Sequence, residues 1–195
     1  MKKHHMPEFI SSTLEVDELK RLYESIKSVV SEDVAENIIN EIPITIGSSP
    51  EVRAEWVEKM SALLEEKFEM DTIKKIRQGC YCNENGKLEE SANELRKLYV
   101  SLDCDICKFV EVINESGAGW YFEGDYLYVT MVSCPCPMLE KSKIVNSLTW
   151  CHCSAGYAKK FWEIVFDVPV EAEIVHSMRQ EFDECLVRLE VATGL

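Results

Sequence analysis

Apolar positions recur at helical spacing through the first part of the chain and switch to strict alternation after Gly117. The run Leu14, Leu19, Leu22, Tyr23, Ile26, Val29 and Val30 keeps one face of a helix, and Ser12 with Glu15 forms a capping-box pattern at its start. Residues 1–10 read as a tail ahead of it. A second helix is predicted at about 33–41, ended by Pro43. The turn-like TIGSSP follows, and Pro50 opens a third helix whose buried stripe is Trp56, Met60, Leu63, Leu64 and Phe68. A fourth is expected from about 70 to Gly79. Ser91 with Glu94 predicts the start of another, carrying Leu95, Leu98 and Tyr99.

The stretch WYFEGDYLYVTMV is aromatic and β-branched around Glu123-Gly124-Asp125, the pattern of a β-hairpin. A short strand is expected around 147–151, then a helix from about Ser154 to Phe166 with Ala155, Ala158, Trp162 and Val165 on one face. Two alternating strands at roughly 169–178 and 184–192 close the chain. The expectation is an α+β fold: N-terminal helices packed on an antiparallel sheet of two β-hairpins with a helix between them. With 195 residues and no linker rich in Pro, Gly or Ser, residues 11–195 are expected to form one domain. Its helical part is about 11–115 and its sheet-containing, ligand- and metal-binding part about 116–195.

Charge narrows the partners. The chain carries 35 acidic against 21 basic residues, a formal net charge of −14 spread over both halves. Phosphate backbones are bound through Lys and Arg, so this balance argues against nucleic acid and against an anionic membrane surface. No segment has the apolar run of a signal peptide or a membrane span, which predicts a cytoplasmic protein. A small-molecule partner fits better, and a homo-oligomer is compatible with the composition.

Nine cysteines in a reducing compartment point to metal ligands or nucleophiles before disulfides. Eight of the nine fall into close pairs: Cys80 with Cys82, Cys104 with Cys107, Cys134 with Cys136, and Cys151 with Cys153. Two pairs brought together would supply a tetrahedral thiolate set for zinc or an iron–sulfur cluster, and eight thiolates could build two such sites. The set Cys104, Cys107, Cys134 and Cys136 is the second possibility. Asp103 is a candidate N-cap that would place Cys104 and Cys107 on one helical turn, also the layout of a redox dithiol. Cys153 is expected where a strand turns into a helix, where unpaired N–H groups favour a thiolate, making it the first candidate for a nucleophile or a ligand. His176 shares strand parity with Ile174 and faces the returning strand with Cys185, so His/Cys coordination is a further candidate. The aromatics at 120–128 form a sheet surface or line a small-molecule pocket.

The stretch from Trp150 to Val191 resembles the C-terminal part of the vinyl-reductase-type small-molecule-binding domain, through Cys151, Gly156, Tyr157, Glu173, Asp183 and Cys185 in order. Some relatives of that domain bind zinc with such residues. Here His176 or Ser177 stands where the first strand cysteine of the family is expected, and Glu181 where its turn glycine is. Gly79-Cys80-x-Cys82 with Cys151-x-Cys153-x-x-Gly156 is similar to a prokaryotic cysteine-rich family related to the L-2-amino-thiazoline-4-carboxylate hydrolases. That resemblance implies that the first and last cysteine pairs meet.

The reading that follows is a zinc-holding small-molecule-binding protein with Cys80, Cys82, Cys151 and Cys153 as ligands. Trp120, Tyr126 and Tyr157 would line the ligand site. The alternative is a hydrolase acting on a small sulfur- or nitrogen-containing ring, with Cys153 or a metal-bound water as the attacking group and Glu173 or Asp183 for proton transfer.

Overall fold

The computed structural model describes residues 14–83, 86–132, 136–140 and 147–192. The expected tail, Ser12 and Cys134 lie outside them. The described residues form seven α-helices and four strands: α1 Leu14–Val29, α2 Glu32–Glu41, α3 Pro50–Lys67, α4 Met70–Gln78, α5 Lys87–Ser101, α6 Ile106–Asn114, β1 Tyr121–Glu123, β2 Tyr126–Met131, α7 Leu148–Phe166, β3 Val170–His176 and β4 Cys185–Val191. The fold is α+β, as the change of hydrophobic period predicts. By contacts it divides into two compact units, Met1–Cys80 with Pro135–Trp150, and Tyr81–Cys134 with Cys151–Leu195.

In the first unit, helix starts follow side-chain capping. Ser31 accepts the N–H of Val34 ahead of α2, and Ser49 accepts that of Val52 ahead of α3, where Pro50 occupies the first turn. Leu22, Ile26, Ile38, Trp56, Met60, Leu64, Ile73 and Ile76 are buried. Gly79 ends α4 against α1: a Cβ there would lie 2.3 Å from Ser25 Oγ, which itself donates to the Ile76 carbonyl at 2.5 Å. This core also holds a charged pair. Arg77 Nη1 meets Glu18 Oε1 at 3.0 Å with both side chains buried, and the guanidinium lies 3.6 Å from the Trp150 ring centroid while donating to the Trp150 carbonyl. Trp56 meets the Trp150 ring edge-on. Removing one partner of such a pair strands a charge in the interior.

The second unit is a four-stranded antiparallel sheet in the order β1-β2-β4-β3, two hairpins joined through β2 and β4. Gly124, with φ of 59°, supplies the left-handed first position of the two-residue turn that the β1–β2 register leaves between Glu123 and Tyr126. One sheet face carries Leu127, Val129, Ala172, Val187 and Leu189, packed with Tyr99 of α5, Phe109 of α6 and Trp162, Val165 and Phe166 of α7. Tyr99 meets Phe166 edge-to-face at 5.1 Å and Phe109 meets Trp162 likewise at 6.3 Å, while Trp162 stacks on Phe166 at 5.2 Å. The opposite face carries Tyr121 stacked on Tyr128, and Arg188 lying over the Tyr126 ring and bonded to Glu173 at 2.6 Å.

Three local expectations are corrected. The stretch expected as a strand at 147–151 is helical from Leu148. Thr and Trp favour strands by propensity, but Thr149 and Trp150 are buried, Thr149 donates to Glu65, and Trp150 seats Arg77. Ser91 lies inside α5, which begins at Lys87. The N-cap of α6 is Asp105, whose carboxylate accepts the Lys108 N–H, whereas Asp103 and Cys104 take left-handed φ values of 58° and 56°. Cys104 therefore stands before the helix and only Cys107 on its first turn.

Candidate functional site

The second unit brings two buried thiols to one hydroxyl. Cys151 Sγ lies 3.3 Å from Ser177 Oγ, and Ser177 Oγ lies 3.6 Å from Cys185 Sγ. Cys151 comes from the first turn of α7, Cys185 opens β4, and Ser177 follows the last residue of β3. A further donor reaches Cys185: the Met178 N–H points to its sulfur at 3.4 Å.

Ser177 is held in place by its own turn. Its hydroxyl accepts the Arg179 N–H at 3.2 Å, and its N–H donates to Gln180 Oε1 at 3.2 Å, a capping box on the 3-10 turn Met178–Gln180. The hydroxyl has one proton for a sulfur and accepts from the other side, so it can serve both thiols at once. The arrangement suits a neutral thiol pair.

A β-bulge decides which residue takes this place. Ile174 pairs with Val187 and His176 with Leu186, so the register shifts by one between them. One extra residue moves the following side chain to the other face. His176, expected to face Cys185 by unbroken alternation, instead shares its face with Leu186. Its ring stacks on Phe182 at 4.3 Å, and its Nε2 lies 3.9 Å from Glu184 Oε1. Ser177 faces the thiols in its stead.

The remaining expected residues come from several elements. Cys153 is half-buried and is the sixth residue of α7, beyond the first turn in which a helix terminus favours an anion. The argument for an activated Cys153 falls with the corrected helix start, and the first-turn cysteine is Cys151. Cys80, in the first unit, is buried and donates to the Ile76 carbonyl at 3.2 Å. Cys82 and Cys136 are half-buried, while Cys104 and Cys107 are exposed. Among the described residues, no group of three or more His, Cys, Asp or Glu side chains is set to hold a metal ion.

The expected ligand-lining aromatics divide between the sheet faces. Trp120, its backbone clamped by Asn114, meets Trp162 edge-on at 5.3 Å, and Tyr157 stacks on Phe161. Burial, with the Glu89 charge second, raises the Tyr157 phenol above the usual tyrosine range. Tyr126 lies on the opposite face under Arg188. Sequence reading missed Ser177 as the centre of the thiol pair, although the spacing Ser177-x-x-Gln180 was a capping signal that ends a strand.

Over residues 13–193 the chain matches the model described as Family of unknown function (DUF6144). It belongs to the DUF6144 family. Neither the curated proteins nor the solved structures contain a match to it. Among the described residues of this DUF6144 chain, no helix is long and apolar enough to cross a membrane.

Proposed function

We propose that the chain is a small-molecule-binding protein whose chemistry is carried by Cys151 and Cys185, with zinc as the ion they hold. The observation that carries this reading is the placement of both sulfurs on one hydroxyl, at 3.3 and 3.6 Å. Zinc binds sulfur at about 2.3 Å and oxygen at about 2.0 Å, so a tetrahedral centre sets sulfur–oxygen edges of roughly 3.5 Å. The two sulfur–oxygen distances lie near that edge, and of the ligand types zinc takes the described residues bring two here. Two thiolates also balance the charge of a divalent ion, which a buried place requires.

With Cys151 and Cys185 as its two sulfur ligands, zinc would take its remaining positions from Ser177 and a small ligand. When bound, the ion supplies a Lewis acid for the donor atom of that ligand. The chain's own residues hold the sulfurs, orient Ser177 through Gln180, and keep the site dry through the packing of α7 on the sheet.

The test is metal analysis of protein purified without oxygen. About one zinc per chain is expected in the parent and in Cys104→Ser, and none in Cys151→Ser or Cys185→Ser. Full retention of zinc in both of the last two variants removes the reading.

A further inference from the structure

We propose that Cys151 and Cys185 are also a modification site: they close a reversible disulfide across Ser177 by exchange with a low-molecular-weight disulfide. The inference rests on the reading of these two thiols as one site. It goes beyond that reading by assigning the site two covalent states.

The geometry favours this pair over the sequence-adjacent ones. A shared contact to Ser177 Oγ keeps the two sulfurs within about 7 Å of each other, and because both side chains are buried, exchange proceeds through a local opening that admits the small disulfide. The pair joins the first turn of α7 to the start of β4, so a bond between them staples helix to sheet. Cys104 and Cys107 are less suited, because Asp105 begins α6 between them and extended backbone separates Cys104 from the helical turn that holds Cys107.

The chemistry balances in two steps. Cys185, whose sulfur receives the Met178 N–H, attacks one sulfur of the small disulfide as its thiolate. A mixed disulfide forms on Cys185, and the first small thiol leaves with the proton that Cys185 gave up. Cys151 then attacks the Cys185 sulfur, the internal S–S bond forms, and the second small thiol leaves with the proton of Cys151. Two protein S–H bonds are lost, one S–S bond is made, and the small disulfide is reduced to two thiols. The sulfurs must close to about 2.05 Å, which requires the Ser177 hydroxyl to swing out from between them. The reduced form is thus stabilised by hydrogen bonds that the oxidised form gives up.

The experiment equilibrates the full chain, stripped of metal, with glutathione disulfide and glutathione at graded ratios, followed by acid quenching, thiol tagging and peptide mass spectrometry. The expected product is a peptide pair linked through Cys151 and Cys185 with the loss of two tags. Cys151→Ser should instead keep a single glutathione on Cys185. In Ser177→Ala the half-oxidation ratio should move about fivefold toward reducing conditions, the equivalent of one ordinary hydrogen bond lost from the reduced form. Oxidation that links Cys151 to Cys153, or leaves Cys151 and Cys185 unlinked while other thiols react, overturns the inference. A parallel arm with zinc present separates the two readings. If the metal-free chain forms no 151–185 link while zinc still shields both thiols from tagging, the metal site stands and the disulfide falls, whereas a link that forms equally with zinc present supports the disulfide and counts against the metal site.

Discussion

Each unit buries polar groups, but of different kinds. The first unit buries a full ion pair, Glu18 with Arg77, backed by the Trp150 ring and carbonyl. The second buries two thiols around a hydroxyl. Charges in an interior are tolerable only when matched, so the Glu18–Arg77 pair is committed to its present partners and works as a fixed scaffold. Thiols and a hydroxyl cost little to bury in neutral form, and a thiol gives up its proton when it binds a cation or is oxidised. The comparison teaches that a buried polar group is a candidate site when its present partners are weak and exchangeable, and a brace when they are strong.

The largest expected effect breaks the brace. Glu18→Gln should destabilise the protein by about 3–5 kcal/mol, since it removes the carboxylate charge that meets the buried Arg77. Urea unfolding measures it, and the double change Glu18→Leu with Arg77→Met should cost less than the single one. A single variant as stable as the parent would mean that the pair is not committed. The next effect sharpens the other side of the comparison. Ser177→Cys puts a third thiol beside Cys151 and Cys185, and should tighten zinc by about tenfold or more, the order of effect that one partner has at metal sites. Competition against a chromophoric chelator reads this, and unchanged affinity would place the zinc elsewhere. The smallest concerns neither buried group: Ser31→Ala removes the α2 cap and should cost about 1 kcal/mol in the same unfolding assay without altering zinc content.

Much of the fold was legible because its signals are local. Pro50 behind Ser49, and the alternation of Val170, Ala172 and Ile174 with Glu171 and Glu173, mark a helix start and a strand within a few residues. The start of α7 was not legible, because Thr149 and Trp150 read as a strand until Glu65 and Arg77 are placed against them. For the same reason Cys153 looked like a helix-terminal thiol. Cys151 and Cys185 were both visible as candidates, but their meeting is tertiary, and the bulge after Ile174 that exchanges His176 for Ser177 leaves no mark in the hydrophobic pattern. Close spacing in sequence drew attention to cysteine pairs, whereas the structure joins one member of a pair to the cysteine that stood alone.

The central claim, that zinc sits on Cys151 and Cys185 beside Ser177, is tested most directly by X-ray absorption at the zinc edge on the loaded protein. The account predicts two sulfur neighbours at about 2.3 Å with oxygen or nitrogen neighbours at about 2.0 Å, and a third sulfur appearing in Ser177→Cys. Four sulfur neighbours in the parent protein would contradict it and return the metal to a set of paired cysteines.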